Sequence, residues 1–546
     1  MRKLVEILEE CDDLFEVETS DKSILYPCEF YSDVAKFAFE GKHFEIIISK
    51  RFPLELPRIT SIDKVIHSHI DDRGVVCLPN VDELFYDLTD EEAIVKYSIA
   101  FLKKLFEMSN DENNQEILYE YNDYLSIFSN YDKNLKAYLL DDSENGYICI
   151  DKNLIFIGNN AFLDLYKKDC RINSFTRYSY LSLNLKTIPN IKYANLSSSD
   201  ILSCLTEDSL QRIQKYKNSN INQYYLLKYY NPDEIINYIL LIVHTTDSLI
   251  KSNGLLIENK IDIIPVQNVS FEFLRLRGGS KIFDSKVLLI GCGSVGSEIS
   301  DLLVSSGFRD ITIVDDDDLK FENGFRNSSG FSFISLNNKY SKADVNSYYL
   351  KIKYPDCNIT PIKSDIIDLV KEEKIDLKKY NYIISCTGNT LVDNYINNYL
   401  YDNKIETYFI LSWLEPYGIA EHILSIDTRK KGCFECFIKS PKSIQMCSND
   451  GEYYKIRNNV CAGSFTPYGR ISTNRLAANT VELIVNNELG YKQIVNEHIV
   501  KKGQLNLFLY KGFKRTPNMD LSEEEINKYS KDFIREGCRV CGEFDY

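Results

Sequence analysis

A chain of 546 residues with 44% hydrophobic and 26% charged side chains has the composition of soluble globular protein, and its length calls for two to four domains. The excess of 80 acidic over 64 basic side chains, net charge −16, disfavours nucleic acid and anionic membrane as partners. No apolar run approaches the roughly 20 residues of a membrane span, the opening MRKLVEILEECDDLFEV lacks a signal-peptide core, and 15 scattered cysteines fit thiols in a reducing cytoplasm better than a secreted disulfide framework.

Residues 1–115 read as an opening helix, strands AKFAFE and HFEIIIS, a Pro-rich turn FPLELP and a closing helix EEAIVKYSIAFLKKLFEM. Between turn and helix come Phe52-Pro53 to Pro57, His67-Ser68-His69-Ile70 and Gly74-Val75-Val76-Cys77-Leu78. This ordered set resembles the ubiquitin-conjugating fold. The resemblance implies an α+β domain in which Cys77 accepts an acyl group by exchange. Conjugating enzymes read H-P-N where this chain has His67-Ser68-His69, so His69 replaces the Asn that assists isopeptide formation. Residues 116–265 are rich in Tyr, Asn, Leu and Ile; YICIDKNLIFIG and YYLLKYY predict an ordered α/β linker domain, with no spacing that carries chemistry.

From about residue 266 strands and helices alternate, which predicts a parallel sheet with helices on both faces. KVLLI runs into Gly291-Cys292-Gly293-Ser294-Val295-Gly296 and then an amphipathic helix, a loop whose backbone N–H groups suit phosphate. A second strand, DITIVD, ends in Asp315, 19 residues after Gly296, placed to accept ribose hydroxyls. Asp317, Asn323, Arg326 and Lys342 follow, a polar and cationic set that a dinucleotide site does not require and an ATP site does, because triphosphate charge must be neutralised. These residues resemble the ThiF/MoeB and ubiquitin-activating adenylation family, with its G-x-G-x-x-G, D-x-D, N-x-x-R and downstream Lys. The resemblance covers roughly residues 270–546 of a domain bounded at 266–546 and implies a Rossmann-like adenylation fold in which Asp315 holds ribose, Asn323 and Arg326 the phosphates and Lys342 the triphosphate. ATP and Mg2+ are the implied cofactors. The family strand ends T-D-N, where this chain reads Cys386-Thr387-Gly388-Asn389; Gly388 stands at the metal-organising Asp, leaving Asp393 or Asp317 as substitutes.

Two C-x-x-C pairs, Cys433/Cys436 and Cys538/Cys541, lie with 101 residues between them, a spacing for a structural Zn2+ clip rather than a compact finger. The family carries the same pairs. Between them Cys461 precedes Ala-Gly-Ser and a helix; the resemblance implies the catalytic thiol at the end of the crossover loop, and proximity to a helix start favours a thiolate. Cys447 is the competing candidate, and Cys292 is expected to be a packing residue.

The order conjugating domain, linker domain, adenylation domain resembles the activating/conjugating fusion proteins of bacterial CBASS antiphage operons. That resemblance implies activation of a protein's free C-terminal carboxylate with ATP, a thioester on Cys461, transfer to Cys77 and ligation to a target lysine. The implied substrate is a cyclic GMP-AMP-synthase-like nucleotidyltransferase. The chain ends five residues after Cys541, leaving no room for a ubiquitin-fold domain that recruits a separate conjugating enzyme; fusion supplies effective concentration instead. Alternatives are a ubiquitin-like modifier ligase, a sulfur-carrier adenylyltransferase, and, outside the enzymes, an ATP-binding scaffold. A homodimer is expected from the family. The mid-chain string Leu274-Arg275-Leu276-Arg277-Gly278-Gly279 matches the ubiquitin tail, yet a free carboxylate after Gly279 would cut away the adenylation domain. It reads as a turn before the first strand, with Arg275 or Arg277 as the arginine the family sends into a partner's ATP site.

Overall fold

The computed structural model describes residues 3–542 apart from 64, 66, 72, 79–86, 123, 124, 126–133, 145, 160–175, 190–197, 216–221, 245–260, 335–338, 441–443, 447–454, 458–463, 504 and 513. The chain divides into two compact units, residues 1–270 and 271–546.

The first unit opens with helix α1 (Leu4–Glu9) and an antiparallel sheet in sequence order, β1 (Phe15–Thr19), β2 (Tyr31–Phe39), β3 (Lys42–Ser49) and β4 (Arg58–Ser61). Helix α2 (Glu91–Glu107) closes it. Asp90 caps α2 by accepting the Ala93 N–H, and Val95, Ile99 and Leu102 recur at helical spacing to form the face packed with Leu4, Phe37, Phe44, Ile46 and Ile59. Helix α3 (Asn110–Tyr119) follows behind a capping box made by Ser109 and Glu112.

Residues 136–268 build one mixed eight-stranded sheet. Its strands are β5 (Lys136–Leu139), β6 (Tyr147–Asp151), β7 (Leu154–Gly158), β8 (Thr176–Ser179), β9 (Leu181–Asn184), β10 (Asn222–Tyr230), β11 (Ile236–His244) and β12 (Ile261–Asn268), ordered β8-β6-β7-β5-β12-β11-β10-β9. Helices α4 (Ser198–Cys204) and α5 (Glu207–Lys215) are added. Along β10 and β11 alternate residues face opposite cores: Leu227, Ile239 and Leu241 join one cluster, Leu226, Leu240 and Ile242 the other. A sheet buried on both faces is why these strands read as continuous apolar runs.

The second unit begins with α6 (Phe271–Arg277). A seven-stranded sheet follows, made of β13 (Phe283–Ile290), β14 (Phe308–Val314), β15 (Asn358–Ile362), β16 (Tyr382–Ser385), β17 (Tyr408–Leu414) and β18 (Ala420–Asp427), completed by a late strand after residue 490, in the order β15-β14-β13-β16-β17-β18-late strand. Helices α7 (Ser294–Ser305), α8 (Lys342–Lys353), α9 (Ile366–Lys371) and α10 (Thr390–Asp402) connect the parallel strands, and α11 (Phe434–Ile438) and α12 (Arg470–Glu488) follow. The short pair β19 (Ile456–Arg457) and β20 (Ser464–Phe465) precedes α12, and the late strand is β21 (Glu497–Lys502). Five strands are parallel as the alternation predicts; β18 runs antiparallel to both of its neighbours, β17 and β21. The turn Pro416–Gly418, with Tyr417 and Gly418 at φ +58° and +67°, joins β17 to β18 directly and is too short for the crossover a parallel neighbour requires. Strand order reverses at β13, which pairs with β14 on one side and β16 on the other. The crevice outside the carboxyl ends at such a reversal is where open α/β sheets bind ligands.

Candidate functional site

The glycine loop lies at that reversal, and each glycine has its own reason. Gly291 takes φ +88°, a Cβ on Gly296 would stand 1.9 Å from the Gly291 carbonyl oxygen, and a Cβ on Gly293 would meet nothing within 4 Å. The first makes the turn, the last packs α7 against β13, and the middle one leaves backbone open to an approaching ligand. No side chain caps α7 at Gly293, so its first N–H groups face outward with the positive end of the helix.

Asp315 closes the loop from β14. Its carboxylate accepts the Cys292 N–H at 2.6 Å and the Asp317 N–H at 2.9 Å. Burial raises its pKa, and the nearby Lys342 charge opposes the rise. Lys342, the first residue of α8, forms an ion pair with Asp317 at 2.6 Å, which holds the Asp317 carboxyl below its ordinary range. Asn323 ends a helical turn, Phe321–Asn323, with its side-chain oxygen accepting the Lys320 N–H at 2.8 Å. The Arg326 guanidinium lies over the Tyr468 ring, 5.6 Å from its centre.

Residues that sequence reasoning passed over hold this ensemble. Asn327 is buried and donates to the Cys292 carbonyl at 3.2 Å, while the Ser328 N–H donates to Ser297 Oγ at 3.1 Å. These contacts pin the segment after Arg326 onto the glycine loop and α7. The signal was present as Asn327-Ser328-Ser329, three small polar residues beside a charged motif. Arg470 at the start of α12 pairs with buried Glu298 of α7 at 2.9 Å. Cys292 is fully buried, with its thiol pKa driven up by desolvation, as fits a packing residue.

Gly388 takes φ +61° with open space around it. Asp393, one turn into α10, is buried; it accepts hydroxyl hydrogen bonds from Ser385 and Thr387, and desolvation raises its pKa to about 6. Turned into the end of β16 and protonated more readily than an ordinary carboxyl, it is the poorer metal ligand of the two substitutes. Asp317, with its side chain 57% exposed, is the open carboxylate. Mg2+ takes one or two carboxylates beside the phosphates it accompanies, so the set fits through Asp317.

The four knuckle cysteines converge. Sγ atoms lie 3.9 Å apart for Cys433–Cys436, 3.7 Å for Cys433–Cys538 and 3.6 Å for Cys436–Cys541, and all four are buried within 4.8 Å of one another. Tetrahedral zinc with Zn–S bonds of about 2.3 Å places sulfurs about 3.8 Å apart, so the donor set fits Zn2+. The Gly432 N–H donates to Cys541 Sγ at 3.4 Å, and a Cβ on Gly542 would meet the Cys538 carbonyl oxygen at 2.3 Å, so the second knuckle requires that glycine. Cys461 and Cys447 both lie outside the described residues; β19 and β20 bracket 458–463.

In the first unit Cys77 is exposed and its N–H donates to the His69 carbonyl at 2.7 Å. Gly74, at φ +90°, has its Cα so close to Ser61 that a Cβ would fall 2.4 Å from the carbonyl oxygen, which fixes the turn before the thiol. His67 stacks on Phe106 with ring centres 5.1 Å apart, a packing role.

One expectation is corrected. Arg275 is buried and bidentate to Asp356 at 2.9 and 3.0 Å, and also donates to the Val304 carbonyl, so it is committed within its own chain. Arg277, two residues on, is exposed. Gly279 at φ +79° ends α6, with Gly278 and Gly279 N–H groups returning to Leu274 and Leu276 carbonyls, a helix C-cap.

A glycine loop at the strand reversal, an acidic residue closing it, a lysine-headed helix and a four-thiol clip together define the class. Residues 266–507 match the ThiF family, and the C-terminal half carries a ThiF-family adenylation domain. Relatives include the NEDD8-activating enzyme E1 catalytic subunit of Dictyostelium discoideum, 33% identical over 117 residues, which are 21% of this chain and 25% of that one. The adenylyltransferase and sulfurtransferase UBA4 of Lodderomyces elongisporus is 26% identical over 264 residues, 45% of this chain and 52% of its own. The ATP-dependent ubiquitin transferase-like protein Cap2 of Escherichia coli is 25% identical over 248 residues, 42% of this chain and 39% of its own. The chain thus spans between a quarter and about half of these relatives' lengths.

Proposed function

We propose that the protein activates the free C-terminal carboxylate of a partner protein with ATP and passes it through two thiols to a lysine. The observation that carries the first step is the open glycine loop with Asp315 and the Lys342–Asp317 pair at one strand reversal, in a domain of the ThiF family. Loop N–H groups and the α7 terminus hold phosphate oxygens, Asp315 the ribose, and Asn323, Arg326 and Lys342 balance the triphosphate. A carboxylate oxygen attacks the α-phosphorus, the bond to the β-phosphate oxygen breaks, and pyrophosphate leaves with the negative charge that Lys342 stabilises. Magnesium, held through Asp317, would assist that neutralisation.

Cys461 thiolate then attacks the acyl carbon and AMP departs. Exchange moves the acyl group to Cys77, and a lysine amine takes it, releasing thiol. Thioesters keep the carboxyl activated throughout. The first four strands with helices α1 and α2 packed on them, and the exposed Cys77, support a conjugating role. Similarity to a relative named ATP-dependent ubiquitin transferase-like supports the same reading; the activated partner would be a cyclic GMP-AMP-synthase-like nucleotidyltransferase in an antiphage setting, or a ubiquitin-like protein. Structural zinc at Cys433, Cys436, Cys538 and Cys541 closes its own shell, so those thiols clip the fold and do not turn over; two chains pair through their adenylation domains.

The adenylation step is tested by pyrophosphate release with ATP, magnesium and the nucleotidyltransferase or small modifier encoded beside the gene. The wild-type chain should release pyrophosphate only with an intact partner C-terminus, and Lys342→Ala should lower the rate about 10²–10³-fold. Release unaffected by Lys342→Ala contradicts the assignment.

A further inference from the structure

The segment His67-Ser68-His69 passes the amide of Cys77 and is gripped by α3. Asn113 Oδ1 accepts the Ser68 N–H at 2.9 Å, and Glu120, just past the end of α3, accepts the His69 N–H at 3.2 Å. The His69 ring lies between two carboxylates, Nδ1 at 2.9 Å from Glu120 and Nε2 at 3.4 Å from Glu116. The carbonyl of the same residue accepts the Cys77 N–H at 2.7 Å. His69 also sits at φ +60°, a left-handed conformation that a histidine keeps only when its surroundings impose it. Beyond α3 the chain is tied into the eight-stranded sheet region: Tyr119 hydroxyl donates to Asp233 and Tyr121 hydroxyl to the Pro189 carbonyl.

We propose that His69, Glu116 and Glu120 are positioning residues for Cys77: the ion-paired His69 ring anchors the segment that the thiol hangs from, and the anchor slackens when the ring loses its proton. The proposal rests on the reading of Cys77 as an acyl acceptor.

Among the described residues, these groups face the ring. Helix α3 and its cap supply the two carboxylates, α2 supplies the uncharged edge of Phe101 at 6.4 Å, and the Cys77 side supplies backbone. The Glu120 hydrogen bond is the largest influence and raises the pKa, half-burial opposes it, and the two glutamate charges add to the rise. A histidine with a raised pKa keeps its ion-paired form below that pKa and loses it as pH climbs through it. The anchor is therefore tight below that raised pKa and relaxes as pH climbs through it.

Amide hydrogen exchange of the full chain across pH about 6 to 9 reads the anchor without any activity. His69→Asn keeps a residue that tolerates the left-handed conformation and removes the titrating ring; Glu120→Gln keeps an acceptor and removes its charge. After correction for intrinsic exchange, protection of the peptide containing Cys77 should fall several-fold in the wild type as pH rises, should be low and flat in His69→Asn, and should fall at lower pH in Glu120→Gln. Equal protection in wild type and His69→Asn at every pH overturns the proposal, even where acyl transfer is observed. In a second arm, discharge from loaded Cys77 to a lysine amine should be about tenfold faster in wild type than in His69→Asn at pH below the raised His69 pKa, with the two converging above it. Protection that follows the expected pattern while Cys77 never takes an acyl group supports the anchor and removes the conjugating role.

Discussion

Asp393 illustrates what burial does to a single carboxyl. Its pKa of about 6 means that the protonated form is favoured in the fold, so its contribution to stability is full below the ordinary Asp pKa and is lost as pH rises past 6. A two-unit rise corresponds to about 3 kcal/mol between those limits. Asp393→Asn should therefore melt higher than wild type at pH 8 and level with it near pH 4, read by thermal denaturation across pH; a gap independent of pH would mean the carboxyl is not desolvated as described. The two arginines of LRLRGG make the complementary case. Positions two apart on a helix face different directions, so one guanidinium is buried and the other is not. Arg275→Ala leaves the buried Asp356 carboxylate uncompensated and should cost about 3–5 kcal/mol in chemical denaturation, whereas Arg277→Ala should stay within about 0.5 kcal/mol. The sequence shows both arginines but not which one faces Asp356, because that depends on a contact 81 residues away.

At the scale of elements, the glycine loop was legible because its chemistry is local: strand, turn, helix and Asp315 occur within one stretch of chain. Gly296→Ala is expected to abolish protection by ATP in thermal shift and to lower the melting temperature, since a methyl 1.9 Å from a carbonyl oxygen forces α7 off β13. A melting temperature and ATP response equal to wild type would remove that packing role. The reversed direction of β18 was not legible. Strand β18 is buried at every position, as a parallel strand would be, and the turn Pro416–Gly418 carries none of the dipeptides that mark a hairpin. Asn327 was missed for a similar reason: a short polar side chain reads as surface until the backbone carbonyl it serves is placed.

For the molecule as a whole, the described residues form three larger sheets in succession, of four, eight and seven strands, beside the short β19–β20 pair. The four-cysteine cluster was readable across 101 intervening residues because thiol pairs advertise their chemistry irrespective of separation. Protein prepared without added metal should carry one zinc per chain by elemental analysis, and Cys538→Ser should lose it together with the cooperative melting of residues 271–546; metal-free wild-type protein with unchanged stability would refute the clip. The thiol relay is the part that one local motif cannot supply, since Cys77 and Cys461 lie in different units. It is tested most directly by incubating the chain with ATP, magnesium and the neighbouring nucleotidyltransferase or small modifier, then resolving adducts on non-reducing gels. Thiol-sensitive adducts should appear in the wild type, vanish in Cys461→Ala, and persist as one thioester without isopeptide product in Cys77→Ala. Adducts that survive Cys461→Ala would contradict the relay and move the first thioester to Cys447.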